Sequence, residues 1–153
     1  MDVNKLKQGL QFVGKWEWGN HADGGYTNDP TDPGGETKFG ISKRAHPNED
    51  IKNLTAERAL AIYQTDYWTP IGGDNLALPT CVVAFDSAVN CGVSRVKGWL
   101  VDTKDDWQAL INRRKQYYLD LVKAKPALQR YLKGWLNRLG DLQKYCELVT
   151  SND

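Results

Sequence analysis

A chain of 153 residues with 41% hydrophobic content is long enough for one globular core and short for two independent ones, so a single domain is expected over residues 1–153. No stretch approaches the roughly 18 uninterrupted apolar residues of a membrane span, and the first residues, broken by Asp2, Lys5 and Lys7, lack the compact apolar region of a secretory signal. Net charge is only +1, but it is uneven: 8 Lys/Arg against 12 Asp/Glu from Met1 to Ser94, 11 against 4 from Arg95 to Gly140, and 1 against 3 from Asp141 onward.

An acidic half beside a basic half suits an anionic polymer, and it equally suits two solvated helix faces. The basic half has no recognisable nucleic-acid-reading motif, so nucleic acid is not an expected partner. Cys81, Cys91 and Cys146 cannot all pair within one chain and show no metal-ligand spacing; they are expected as buried, reduced thiols. Synthesis in a reducing compartment without an export signal follows.

In chain order, Val3, Leu6, Leu10, Val13 and Trp16 or Glu17 recur at three- and four-residue steps, with Asp2 as N-cap. This predicts an amphipathic helix ending near Trp18, where Gly19 and a turn-rich run follow. Successive helical residues point about 100° apart, so one of Trp16 and Glu17 sits at the edge of the apolar stripe. Gly24 to Thr27 and Lys38 to Ile41, bracketed by Asn, Asp, Pro and Gly, are expected as small strands or a hairpin.

Leu54, Thr55 and Glu57 read as staple, N-cap and acidic first turn of a helix that Pro70 and Gly72-Gly73 end. Pro79 opens a helix apolar nearly all round, from Cys81 to Val89, which belongs in the middle of the core. Gly92 closes it and Ser94 caps a short successor. Thr103 with Asp106 resembles a capping box for a long helix carrying Trp107, Leu110, Ile111, Arg114, Tyr117 and Tyr118. Pro126 restarts the chain, Gly140 is expected to stop it, and a last short helix follows from Asp141. Trp99, Trp107 and Trp135 sit at helical spacing and read as core residues.

The chemistry concentrates between Lys15 and Ile41. Glycoside hydrolysis needs an acid that protonates the leaving oxygen and usually a second carboxylate as nucleophile, base or electrostatic partner. Glu17 has Trp16 and Trp18 on either side, the partly apolar setting that such an acid needs. Asp29 and Asp32, each followed by proline, lie on a polar loop where a carboxylate stays ionised. The same residues also suit an exposed helix end and ordinary Asx-Pro turns. His21 and His46 are the two histidines, and Asp29, Asp32 and Glu36 lack the EF-hand spacing; no metal is expected.

The run Gly24-Gly25-Tyr26, Asn28-Asp29-Pro30, Asp32-Pro33-Gly34-Gly35-Glu36-Thr37 and Phe39-Gly40-Ile41 resembles the signature of glycoside hydrolase family 108, the phage and bacterial N-acetylmuramidases. The likeness continues through Asp66-Tyr67-Trp68, Leu78-Pro79 and Phe85 to Gly92. Arg113-Arg114, Tyr117-Tyr118 and Lys133 to Arg138 are similar to the C-terminal peptidoglycan-binding helices that accompany this family. The resemblance implies a mainly α (α+β) lysozyme-like fold, a helical core with a small β-hairpin lobe and a cleft between lobes. Residues 1–92 would hold the catalytic motifs and residues 93–153 the peptidoglycan-binding-like part.

It also implies hydrolysis of the bond between N-acetylmuramic acid and N-acetylglucosamine in bacterial peptidoglycan, without a cofactor. The lack of an export signal suits a monomeric phage endolysin released from the cytoplasm onto the wall, or a domain of a larger protein. The family places its catalytic Glu directly before Gly-Gly-Tyr, where this chain has Asp23. Either six residues follow a retained Glu17 or Asp23 replaces the acid. Asp is one methylene shorter, so Glu17 is the expected acid. Asp32, ahead of Asp29, is its expected partner, and Thr37 either orients the attacking water or is simply a strand residue before Phe39. Tyr26, Asp29, Asp86 and Asn90 are the expected substrate contacts, although Tyr26 equally suits packing under the loop and Asp86 and Asn90 suit capping or bridging buried backbone. The rival reading is a non-catalytic peptidoglycan-binding or scaffold protein derived from such an enzyme.

Overall fold

The computed structural model describes residues 3–151, so Asp2, the expected first N-cap, lies outside the described residues. Six α-helices and one hairpin follow in order: α1 (Val3–Glu17), β1 (Thr37–Lys38), β2 (Ile41–Ser42), α2 (Ala56–Tyr63), α3 (Thr80–Cys91), α4 (Val93–Thr103), α5 (Trp107–Ala124) and α6 (Gln129–Ser151). A π-helical turn, Gln64–Trp68, continues α2, and short 3₁₀ turns at Gly73–Asn75 and Pro126–Leu128 precede α3 and α6. The fold is mainly helical and lysozyme-like, as expected. Among the described residues no helix is long and apolar enough to cross a membrane.

α3 is the axis of the molecule. Every residue from Thr80 to Ala88 is buried, including Asp86 and Ser87, and α1, α4 and α5 pack around it. Removing a large apolar side chain from water contributes about 1.5–3 kcal/mol, so Val82, Val83 and Phe85, each at 0% exposure, contribute strongly to this core. Gly9 lets α1 approach closely, since a Cβ there would lie 2.7 Å from the Phe85 ring. One contiguous core runs from Leu6 on α1 to Cys146 on α6. The three cysteines are buried and none forms a disulfide, and burial pushes the Cys146 thiol up to about 12, which keeps it protonated and inert.

Thr55 caps α2, its hydroxyl accepting from the Arg58 amide at 3.1 Å. The hairpin is smaller than expected. β1 and β2 pair antiparallel with Thr37 opposite Ser42 and Lys38 opposite Ile41, across a turn in which Phe39 and Gly40 both have positive φ, 52° and 72°, as a two-residue hairpin loop requires. Gly24 and Gly25 are turn residues with φ of 78° and 61°. In that segment Thr27 forms an isolated bridge to Thr37.

Three helix boundaries differ from expectation. The N-cap of α5 is Asp106, which accepts from the Ala109 amide at 2.8 Å, while Thr103 lies inside α4. That helix starts directly after Gly92, so Ser94 is its second residue instead of its cap. Gly140 does not stop a helix: α6 runs through it to Ser151. Leu139, Leu142 and Cys146 bury one face of α6 on both sides of the glycine, and that burial outweighs the roughly 1 kcal/mol a mid-helix glycine costs.

Candidate active site

α1 ends by reversing on itself. The Gly14 carbonyl accepts from the amides of Trp18 and Asn20, and the positive φ of Gly19 and Asn20 turns the chain away. Glu17 is therefore the last helical residue, and its side chain is 28% exposed. The Arg138 Nη1 of α6 donates to its Oε1 at 2.9 Å. On its other flank stands the hairpin turn: a Cβ on Gly40 would lie 3.0 Å from the Glu17 Cβ and 2.5 Å from the Tyr63 hydroxyl. Tyr63 donates to the Phe39 carbonyl at 2.8 Å, pinning the turn to α2.

The aromatic surroundings are only partly those expected. Trp18 packs edge-on to Phe39 at 5.7 Å and against Tyr63. Trp16 is turned to α6, where its indole N–H donates to Asp141 at 2.9 Å. Tyr63 and Tyr67 complete the wall. Burial, with Glu17 and each other nearby, pushes Tyr63 well above the ordinary tyrosine range; burial, Asp66 and Glu17 likewise raise Tyr67. Both phenols stay neutral beside Glu17.

Behind Arg138 lies a buried ionic network. Its Nη2 and Nε donate to Asp86 Oδ1 at 2.6 and 3.1 Å. Arg114 Nη1 donates to the other oxygen at 2.8 Å and to the Ser87 hydroxyl at 3.1 Å, and Arg114 Nε donates to the Tyr118 hydroxyl at 2.7 Å. Tyr118 in turn donates to Asn90 Oδ1 in a short contact. Burial lowers the Arg138 pKa, but Asp86 first and then Glu17 reverse this and raise it above the usual arginine value.

This corrects one expected substrate contact and narrows another. Asp86 is fully buried with both oxygens held by guanidiniums, so no sugar hydroxyl can reach it. Asn90 is half-buried and its carbonyl oxygen accepts from Tyr118 and Cys91, leaving only its amide nitrogen for a ligand. The signal for the network was present in the sequence. Asp86 interrupts an apolar helix, and Arg114 sits in an apolar stripe.

The remaining candidates lie on the loop and hairpin. Asp29 accepts from the hydroxyl and amide of Thr31 at 2.7 and 2.9 Å; the hydroxyl bond first, then the amide, lowers its pKa. Asp32 is exposed and its Oδ1 accepts from the Gly34 amide at 2.8 Å. Asp23 makes the equivalent bond to the Gly25 amide at 3.0 Å, an Asx turn on the surface. Thr37 exchanges two backbone bonds with Thr27 at 2.9 Å. Tyr26 is half-buried beside Glu36, and desolvation and that carboxylate raise its pKa. The Phe39 amide donates to the Gly24 carbonyl at 2.8 Å, so loop and hairpin form one folded unit whose tip meets Glu17. Among the described residues no group of three or more His, Cys, Asp or Glu forms a metal-binding set.

A carboxyl group at a helix end, with aromatic rings, a guanidinium and a hairpin turn around it, has the acid's part of a glycoside hydrolase site. A model of the family Glycosyl hydrolase 108 matches residues 16–92, just over half of the chain, and the chain belongs to that family. SagA of Brucella abortus has a solved structure similar to this one, with a TM-score of 0.73 and 23% sequence identity, covering 98% of this chain and 97% of that one. That likeness supports the fold. No curated protein matches the sequence.

Proposed function

We propose that this chain is a peptidoglycan N-acetylmuramidase in which Glu17 is the general acid. The observation that carries the reading is the placement of Glu17: last residue of α1, bound by Arg138 at 2.9 Å and adjoining the turn at Gly40. Asp23, the alternative acid, lies on an exposed Asx turn with one oxygen accepting from the Gly25 amide. Glu17 would protonate the glycosidic oxygen, leaving a carboxylate that already faces a cation. Asp32 would support the developing oxocarbenium charge or activate water, with Thr37 orienting that water and Tyr26 and Asp29 bordering the substrate. The chain would act as one monomeric unit without a cofactor, in the manner of a phage endolysin made in the cytoplasm and released onto the wall.

The test is release of new reducing ends from purified peptidoglycan, with the products identified by mass. Muramic acid at the new reducing ends is expected, together with loss of activity in Glu17→Gln and its retention in Asp23→Asn. Loss confined to Asp23→Asn would move the acid to that residue. A wild-type protein that sediments with the wall and releases nothing would establish the non-catalytic reading, whose motive is the six-residue displacement of the acid.

A further inference from the structure

The family match ends at Gly92, yet the cation bound to Glu17 stands on α6 at position 138. The geometry points to α6 as part of the catalytic site: Arg138, locked by Asp86, is the positioning residue of Glu17, and the C-terminal helices complete the acid's constellation instead of forming a separate wall-binding attachment. The inference rests on the reading of Glu17 as the acid.

A guanidinium is a rigid planar fork of five N–H donors. In Arg138, Nε and Nη2 clamp Asp86 while Nη1 reaches Glu17, so the direction of the Glu17 bond is dictated from the buried side. Asp86 is itself immobilised, its second oxygen held by Arg114, which Ser87 and Tyr118 hold in turn. Exposure rises along the chain of contacts: the Arg114 and Asp86 side chains are 0% exposed, Arg138 is 8% and Glu17 is 28%. The fixed end is in the core and the free end is at the surface. Tyr63 and Tyr67, the titratable groups facing Glu17 from α2 and the turn after it, stay neutral.

Stability gives little reason for such a network. Burying two guanidiniums and a carboxylate costs desolvation energy that apolar residues of the same volume avoid. What an apolar replacement cannot do is fix a carboxyl group in space. Lysine would not reproduce the arrangement either, because one ammonium cannot clamp Asp86 bidentately and also reach Glu17.

The experiment compares the full-length wild type with Arg138→Met, Arg138→Lys, Glu17→Gln and the double variant Glu17→Gln/Arg138→Met. It measures reducing-end release with kcat and KM separated, sedimentation with the same peptidoglycan, and thermal unfolding. Arg138→Met is expected to lose kcat by roughly 10- to 100-fold, as misplacement of a catalytic group does, with KM and wall binding unchanged. Arg138→Lys should recover part of that kcat, and the double variant should be no slower than Glu17→Gln alone. Wild-type kcat with weakened wall binding in Arg138→Met would overturn the inference and make α6 a binding element. If Arg138→Met does not fold, Arg138→Lys decides: full kcat in that variant overturns the role, and reduced kcat at unchanged KM supports it. Activity that survives Glu17→Gln overturns both the acid and its positioner, whereas an inactive Glu17→Gln beside a fully active Arg138→Met overturns the positioner alone.

Discussion

Asp86 carries a guanidinium on each side at 0% exposure. Burial alone would raise its pKa, but Arg114 and Arg138 more than reverse this and hold it below the ordinary value of 3.8. A carboxyl group whose folded pKa is depressed contributes stability that is complete above its unfolded pKa and is lost as pH falls through the folded one. Urea unfolding should therefore show stability declining on acidification below about pH 5. Asp86→Asn should reduce that acid slope and cost about 3–5 kcal/mol at neutral pH, because two buried cations lose their counter-charge. A wild-type unfolding midpoint in Asp86→Asn would refute this. Asp86 and Arg114 were each legible as anomalies, charges in apolar company. Their pairing was not: Arg114 and Arg138 lie 28 and 52 residues from Asp86, and Arg138 lies 121 from Glu17, distances no local periodicity spans.

Two glycines on the elements beside the site have opposite requirements. Gly40 has φ of 72°, a conformation that costs an L-residue about 1–2 kcal/mol, and its Cβ would press on the Tyr63 hydroxyl and Glu17 Cβ. Gly40→Ala should lower the unfolding midpoint and reduce reducing-end release beyond what the loss of folded protein explains; full activity would show that the turn does not shape the site. Gly140 lies in mid-helix with nothing within 4 Å of an added Cβ. Gly140→Ala should stabilise by roughly 0.5–1 kcal/mol, measured as a raised denaturant midpoint, and a lowered midpoint would contradict the continuous α6. Local signals located most elements because their causes are local, as with the Thr55 cap and the closure of α3 at Gly92. Gly140 misled because what sustains α6 there is burial against other helices, which a five-residue window does not contain. The short hairpin was legible from its turn residues. Its contact with Glu17 depends on Tyr63 of α2 and was not.

At the scale of the whole molecule, the end of the family match at Gly92 does not coincide with a division in packing. Both ends of the chain meet along α1 and α6: Lys15 pairs with Asp141 at 2.7 Å, Tyr145 donates to Gln8 at 2.6 Å, and the rings of Phe12 and Tyr145 lie 6.1 Å apart. α5 meanwhile packs on α3 and α6, and Tyr118 stacks on Trp135 at 5.0 Å. A chain tied in this way has no surface along which the last helices can leave without exposing α3. Unfolding should thus be a single transition, with far-UV circular dichroism and tryptophan fluorescence coincident across the denaturant range. Hydrogen exchange should give the central amides of α3 and α6 the same opening free energy. Asp86→Asn, which strikes where α3, α5 and α6 meet, should lower both values together. If α6 exchanged through a lower-energy opening while α3 stayed protected, the C-terminal helices would be a separable layer, and Arg138 could hold Glu17 only while that layer was docked.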